Sequence, residues 1–379
     1  MNIMYSIRKI FIGLLCMVLI LMPGCGLSMD DFSLDNPGFE SSQEETLMSF
    51  NDVVDKVNKE ISDGTDGTIA FYVSDEVSDS ELKNINYSID TMKGNVTSIT
   101  TYTSSIKNPG SRKVELFFER SDAMYAYDNI ISGKEIPQEK TNAIELTSKC
   151  KNILSETIMS AMSDYEKEIA IHDYIVNNCV YGSSDNHDDS EYTPYGVLVN
   201  GKAVCSGYAS AMNLLLSCSG VEIRVVSGKA YSNNGESDEL ENHAWNQVKI
   251  NGNWYNVDAT WDDPMGDTET LSHEFFNVND DILSDSHIWE KSKYEVCSSM
   301  SENYYVHNGS YISDIYSLES YLKTNLVAGI NNETECALNN FEVNDENLQF
   351  IFGIDGVETV GYSLSGNVKY NILKVYINR

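Results

Sequence analysis

The chain has 379 residues, 41% hydrophobic and 10% aromatic, so most of it can bury a core rather than stay unfolded. Its formal net charge of −33 repels phosphate backbones and sets nucleic acid aside as a partner. A chain of this length accommodates two or three domains.

The first residues read as a targeting segment. Arg8-Lys9 is a short basic start, and Ile10 to Met22 is an apolar run too short for the roughly 20 residues of a relaxed membrane span. The run ends in Leu21-Met22-Pro23-Gly24-Cys25, which resembles a bacterial lipobox. The resemblance implies a signal peptide over 1–24, a lipid on Cys25, and display of the remainder on the outer side of the cell membrane. Residues 25–45, rich in Ser, Asp and Glu, read as an acidic tether.

Residues 46–155 read as a small α+β domain. Val53, Val54, Val57 and Ile61 recur at helical spacing, while Thr68 to Val73 and Lys113 to Phe118 have the pattern of strands. Residues 156–300 form the next block. Ser163 and Glu166 have capping-box spacing and open a helix through Ile169, His172 and Ile175. Beyond an acidic loop, Cys205 starts a helix that runs to about Cys218, with Gly220 as its terminator. Strands follow at Arg224 to Gly228, His243 to Ile250 and Trp254 to Ala259. Residues 301–379 read as a β-rich segment of short strands, including Phe350 to Ile354 and Ile372 to Ile377.

Chemistry concentrates in the middle block. A cysteine at a helix start meets unpaired N–H groups and the positive end of the helix dipole, which favour a thiolate. The same N–H groups suit an oxyanion formed when that thiolate attacks a carbonyl. Asn251-Gly252 predicts a type I′ hairpin turn that pairs Ile250 with Asn253. Counting back, His243 and Asp258 become diagonal neighbours on one face of the hairpin. Ala244, Val248, Ile250, Tyr255, Val257 and Ala259 fall on the other face, against a core. Cys205 as nucleophile, His243 as base and Asp258 as orienting acid make acyl transfer the implied reaction. Tyr195, Ser206 and Trp245 are candidates for the substrate or oxyanion pocket. His172 and His287 read as packing residues, and Asp262 and Asp263 as turn acids beside Pro264.

Cysteines outside this set argue against a disulfide framework. With Cys16 lost and Cys25 lipidated, Cys150, Cys179, Cys218, Cys297 and Cys336 remain beside Cys205, an odd number without CxxC spacing. No HExxH or similar ligand spacing appears, so no metal or other cofactor is expected. The acidic stretches Asp185 to Glu191 and Glu236 to Glu241 offer carboxylates to calcium, but without EF-hand spacing they read as solvated loops.

Three segments carry a family resemblance: Gly201-Lys-Ala-Val-Cys205-Ser-Gly-Tyr208, Asn242-His243-Ala-Trp245-Asn, and Trp254-Tyr-Asn-Val-Asp258-Ala-Thr-Trp261-Asp262-Asp263-Pro264. They resemble the three motifs of bacterial transglutaminase-like domains, over about Tyr165 to Trp289. Upstream Ile171-His172-Asp173-Tyr174-Ile175 and downstream Asp285-Ser-His287-Ile-Trp289 also resemble that family. The resemblance implies an α+β, papain-like core in which the cysteine helix packs on an antiparallel sheet. It is compatible with thiol acyl transfer on a protein or peptide amide at the cell surface, with a cysteine peptidase or amidase of cell-wall peptides, and with a non-catalytic adhesion or scaffolding lipoprotein.

Overall fold

A computed structural model of the chain describes residues 47–62, 67–89, 92–103, 111–182, 188–231, 239–263, 271–327, 332–354, 356–366 and 369–378. The leader, Cys25 and the tether lie outside the described residues, as do 183–187 and 232–238 of the two acidic loops.

The stripe at Val53, Val54, Val57 and Ile61 forms the buried face of α1 (Phe50–Ser62). It packs on an antiparallel sheet of β1 (Gly67–Ser74), β2 (Gly94–Thr103) and β3 (Ser111–Arg120), ordered β1-β3-β2, with α2 (Asp79–Lys83) between β1 and β2. Two helices then appear that hydrophobic periodicity did not reveal, α3 (Asp122–Ser132) and α4 (Thr141–Thr157). The buried residues of α3 are Ala123 and Ala126, and those of α4 interleave Ala143, Thr147 and Cys150 with Leu146 and Ile153, a weak apolar stripe. Both helices join the core that holds the middle of the chain.

The helix α5 (Asp164–Asn178) begins with the expected capping box: Glu166 N–H donates to Ser163 Oγ and Ser163 N–H to the Glu166 carboxylate. Its buried Ile171 and Ile175 face the same core. A parallel pair, β4 (Val180–Tyr181) and β5 (Lys202–Ala203), brackets a π-helical turn over Gly196–Asn200. Then comes α6 (Cys205–Cys218), buried from Cys205 to Leu216 and ended by Gly220 at φ +82°. Gly207 is required there, because a Cβ would meet the Glu191 carbonyl at 2.4 Å.

Behind α6 stands the sheet of β6 (Glu222–Tyr231), β7 (Leu240–Ile250), β8 (Asn253–Val257) and, after the short α7 (Asp280–Leu283), β9 (His287–Ile288), ordered β8-β7-β6-β9. Asn251 and Gly252 take φ +51° and +85°, the I′ turn, and Ile250 pairs with Asn253. Val248, Ile250, Tyr255, Val257 and Ala259 lie in the core shared with α6, while Trp245 lies in a second core with Val226, Trp289 and Tyr305. The architecture is α+β, with the cysteine helix on an antiparallel sheet.

Downstream, α8 (Tyr304–His307) leads to β10 (Tyr311–Ile312), α9 (Ile315–Asn325), β11 (Glu333–Asn339), β12 (Thr359–Gly366) and β13 (Tyr370–Asn378), in a sheet ordered β10-β11-β13-β12. Phe350 to Ile354, expected as a strand, is instead a 3₁₀ turn over Gln349–Gly353. A short apolar run does not by itself distinguish a strand from a buried turn.

Candidate active site

Cys205 is the first residue of α6 and is 1% exposed. Its sulfur lies beside the His243 imidazole, close enough to help hold that ring's proton. His243, on β7, places Nε2 2.6 Å from Asp258 Oδ2, which leaves Nδ1 as the nitrogen for the sulfur. Asp258 follows β8 directly and is locked by its own turn: Oδ1 accepts from the N–H groups of Thr260 and Trp261 at 3.0 and 3.2 Å. Its own N–H donates to the Phe275 carbonyl. The three residues picked from the sequence therefore converge in the order sulfur, imidazole, carboxylate.

The electrostatics follow from burial and charge together. Burial alone would strip His243 of its proton, but Asp258 and the Cys205 sulfur outweigh it and push the imidazole up to about 10. Burial would likewise raise Asp258, yet His243 and His287 hold it well below the usual carboxylate range. At neutral pH Asp258 is thus an anion and His243 an imidazolium beside the thiol, the environment that favours a thiolate.

His287 is more than the packing residue expected. Its Nε2 lies 3.0 Å from Asp258 Oδ2, and its Nδ1 is 2.8 Å from Ser286 Oγ. Burial lowers it below its ordinary value, and Asp258 opposes that shift. The fitting state is neutral, with Nε2–H donating to Asp258 and Nδ1 accepting from the serine hydroxyl. One carboxylate therefore anchors two imidazoles. Nothing in the spacing foretold this; only the downstream motif pointed to the segment.

Tyr181 was not foreseen either. The β4–β5 ladder pairs it with Ala203, two residues before Cys205. Its phenol lies beside the Cys205 backbone N–H, one of the unpaired donors at the head of α6. A two-residue strand leaves no periodic signal by which to find it.

The three pocket candidates part company. Ser206 sits beside Cys205 with a buried Oγ that has no hydrogen-bond partner among the described residues. Trp245 is a wall, 1% exposed, edge-on to the His287 ring at 5.0 Å. Tyr195 does not line the site: its hydroxyl donates to Glu145 on α4 at 2.6 Å.

Asp262 and Asp263 do stand in the turn after β8, and both are buried and engaged there. Asp263 accepts from the Tyr208 hydroxyl, and Asp262, fully buried, accepts from Phe275 N–H at 2.8 Å. Asp262 Oδ2 also lies 3.1 Å from Nε2 of buried His172. His172 Nδ1 is 3.0 Å from Asp173 Oδ1, and His273 Nε2 reaches the same oxygen at 2.9 Å. Two groups of side chains thus have the spacing of metal ligands, His243 with Asp258 and His287, and His172 with Asp173 and His273.

Comparison with known proteins agrees with this geometry. Residues 151–259 match the Transglutaminase-like superfamily, a stretch that includes Cys205, His243 and Asp258. The chain is 26% identical over 205 residues to the kyphoscoliosis peptidase of Mus musculus and 26% identical over 208 residues to that of Homo sapiens. Each match covers 50% of this chain and 31% of the relative, so the shared part is about a third of those proteins. Among solved structures, a TGase aligns at 15% identity over 66% of this chain and 59% of its own. The periplasmic domain of TgpA from Pseudomonas aeruginosa, bound to ethylmercury, aligns at 15% identity over 44% and 65%. Their TM-scores of 0.26 and 0.22 are too low to speak to the overall fold. On its three motifs, the order of its site residues and the family match, residues 151–259 of this chain form a transglutaminase-like superfamily domain.

Proposed function

We propose that the chain is a thiol acyltransferase or hydrolase acting on peptide or protein amides through a thioester on Cys205. The observation that carries this is the line from the head of α6 to Asp258: sulfur, imidazolium, buried carboxylate. The Cys205 thiolate attacks the amide carbonyl, forming a C–S bond and placing negative charge on the oxygen. The Cys205 N–H and the Tyr181 hydroxyl, neighbours at the head of α6, both donate to that oxygen. The C–N bond then breaks, and the amine leaves with a proton from His243 Nδ1. Neutral His243 next takes a proton from the incoming amine or water, which attacks the thioester and frees the sulfur. Asp258 holds the imidazole tautomer throughout and stabilises the imidazolium whenever it forms, and His287 holds Asp258.

Whether an amine or water resolves the thioester separates a cross-linker from a peptidase or amidase. The name of the curated relatives favours the hydrolytic outcome. The leader-like residues 1–24 and Cys25 support action at the outer membrane surface, tethered by lipid, where proteins and wall peptides are the available amides. Replacing Cys25 with alanine then releases the protein or leaves it unprocessed; unchanged membrane retention contradicts the anchor. The reaction itself is tested by incubating the full chain with a labelled amine and a glutamine-containing protein. Covalent incorporation of the amine marks transfer, and release of peptide or ammonia without incorporation marks hydrolysis. A substrate-independent, inert Cys205 leaves the scaffolding alternative.

A further inference from the structure

We propose a second, metal-binding site in this chain: His172, Asp173 and His273 form a three-ligand site for a divalent transition ion of the zinc class, with Asp262 as its outer support. The site lies outside the thiol machinery and does not depend on the reaction assigned to it.

His172 is fully buried, and both of its ring nitrogens face carboxylate oxygens, Nδ1 on Asp173 at 3.0 Å and Nε2 on Asp262 at 3.1 Å. A neutral imidazole has one N–H and cannot donate to both carboxylates; a second ring proton or a bound cation in front of one nitrogen completes the pair. The second imidazole, His273 Nε2, converges on the same Asp173 oxygen at 2.9 Å. Two imidazoles and a carboxylate, their ligand atoms all within 4.8 Å of one another, therefore surround one point.

Metal–ligand bonds of about 2.0–2.2 Å in a tetrahedron set ligand atoms roughly 3.3 Å apart. The two contacts to Asp173 Oδ1 need to lengthen by only a few tenths of an ångström. Two nitrogens and one oxygen suit zinc better than magnesium or calcium, which take all-oxygen shells.

A metal-bound histidine typically donates its other N–H to a carboxylate, which fixes its ring. His172 Nε2–H has Asp262 for that purpose, and Asp262 is itself fixed by Phe275 N–H. The His273 ring is held by stacking on Tyr304, with centroids 3.8 Å apart and planes 2° from parallel. Asp173 is 33% exposed, which gives an ion a way in and leaves a fourth position for water. The ligands come from α5 and from the segment after β8. Asp262, in the turn that also carries Asp258, is tied to both by hydrogen bonds, so an ion here clamps the floor of the active site.

The test is metal content of the full chain in detergent, after zinc loading and removal of loose ions. Wild type and Cys205→Ala each retain about one zinc per chain. His273→Ala and the milder His273→Gln, which keeps a donor for Asp173, both lose it while Cys205 still alkylates. With cobalt in place of zinc, visible bands appear without the near-ultraviolet sulfur-to-cobalt band that a Cys205 ligand would give. Zinc absent from loaded wild type overturns the proposal. So does zinc that survives His273→Gln but disappears with Cys205→Ala, because the ion then sits on the triad.

Discussion

Two buried hubs in this protein are built on the same pattern. Asp258 anchors His243 and His287 at 2.6 and 3.0 Å; Asp173 anchors His172 and His273 at 3.0 and 2.9 Å. What separates them is the third partner. At Asp258 the far nitrogen of one imidazole meets a thiol at a helix N-terminus, and the carboxylate is 1% exposed. At Asp173 no thiol among the described residues is hydrogen-bonded to either ring, a second carboxylate takes the other nitrogen of His172, and the anchoring acid is 33% exposed. A histidine on a buried carboxylate is therefore not a catalytic sign in itself. The nucleophile, and the unpaired N–H groups beside it, make the difference.

The comparison breaks most easily at its acids. Asp258→Ala should lower turnover on an amide by on the order of 10³-fold, because it removes the charge that holds His243 protonated and oriented. Asp173→Ala should leave the pH dependence of Cys205 alkylation where it is. Equal losses from both substitutions would mean the hubs form one machine.

Tyr181→Phe gives the next largest effect. Removing one oxyanion donor should lower amide turnover by about 10²-fold. The rate of Cys205 alkylation should stay the same, since displacement at a saturated carbon develops no oxyanion. A parallel fall in both rates would assign Tyr181 to shaping the thiol instead.

A smaller effect sits beside the second hub. Glu168, one turn before His172, is fully buried, with one oxygen accepting from Asn277 at 2.8 Å and the other unpartnered. Burial pushes its carboxyl up to about 8. Because the folded value exceeds the unfolded one, stability falls as pH rises from 4.5 to about 8. Glu168→Gln should then raise stability at pH 8 by a few kcal/mol and change little at pH 4. A denaturant melt at both pH values decides it, and equal shifts at the two would remove the electrostatic cause.

His243 provides the mildest test. Its folded value, about 10, lies above its ordinary 6.5. The stability it contributes is fully present below pH 6.5 and lost as pH rises toward 10, so the unfolding midpoint should fall across that window. A flat midpoint would show that His243 is not held as an imidazolium.

Much of the first hub was legible from sequence because its signals are local. The Asn251-Gly252 turn sets the hairpin register, and that register puts His243 and Asp258 together; Ser163 and Gly220 mark the limits of the helices around them. The second hub was not legible. His172 and His273 are a hundred residues apart, and Asp262 looked like a turn acid until the chain folded it under Phe275. Tyr181 rests on a two-residue strand, and α3 hides its buried face in Ala123 and Ala126. Contacts made by long-range packing, with no periodic or turn signal, escape a linear reading.

The central claim is that Cys205 is an activated thiol, and iodoacetamide reactivity measured peptide by peptide against pH tests it most directly. Cys218, at the far end of the same helix, is the internal control: burial pushes its thiol up to about 12, yet it is the more exposed of the two. Access alone would therefore make Cys218 the faster. The account predicts that Cys205 reacts far faster at pH 6, and that His243→Ala moves its profile to higher pH. A Cys205 that follows Cys218, or a profile that His243→Ala leaves in place, would contradict it.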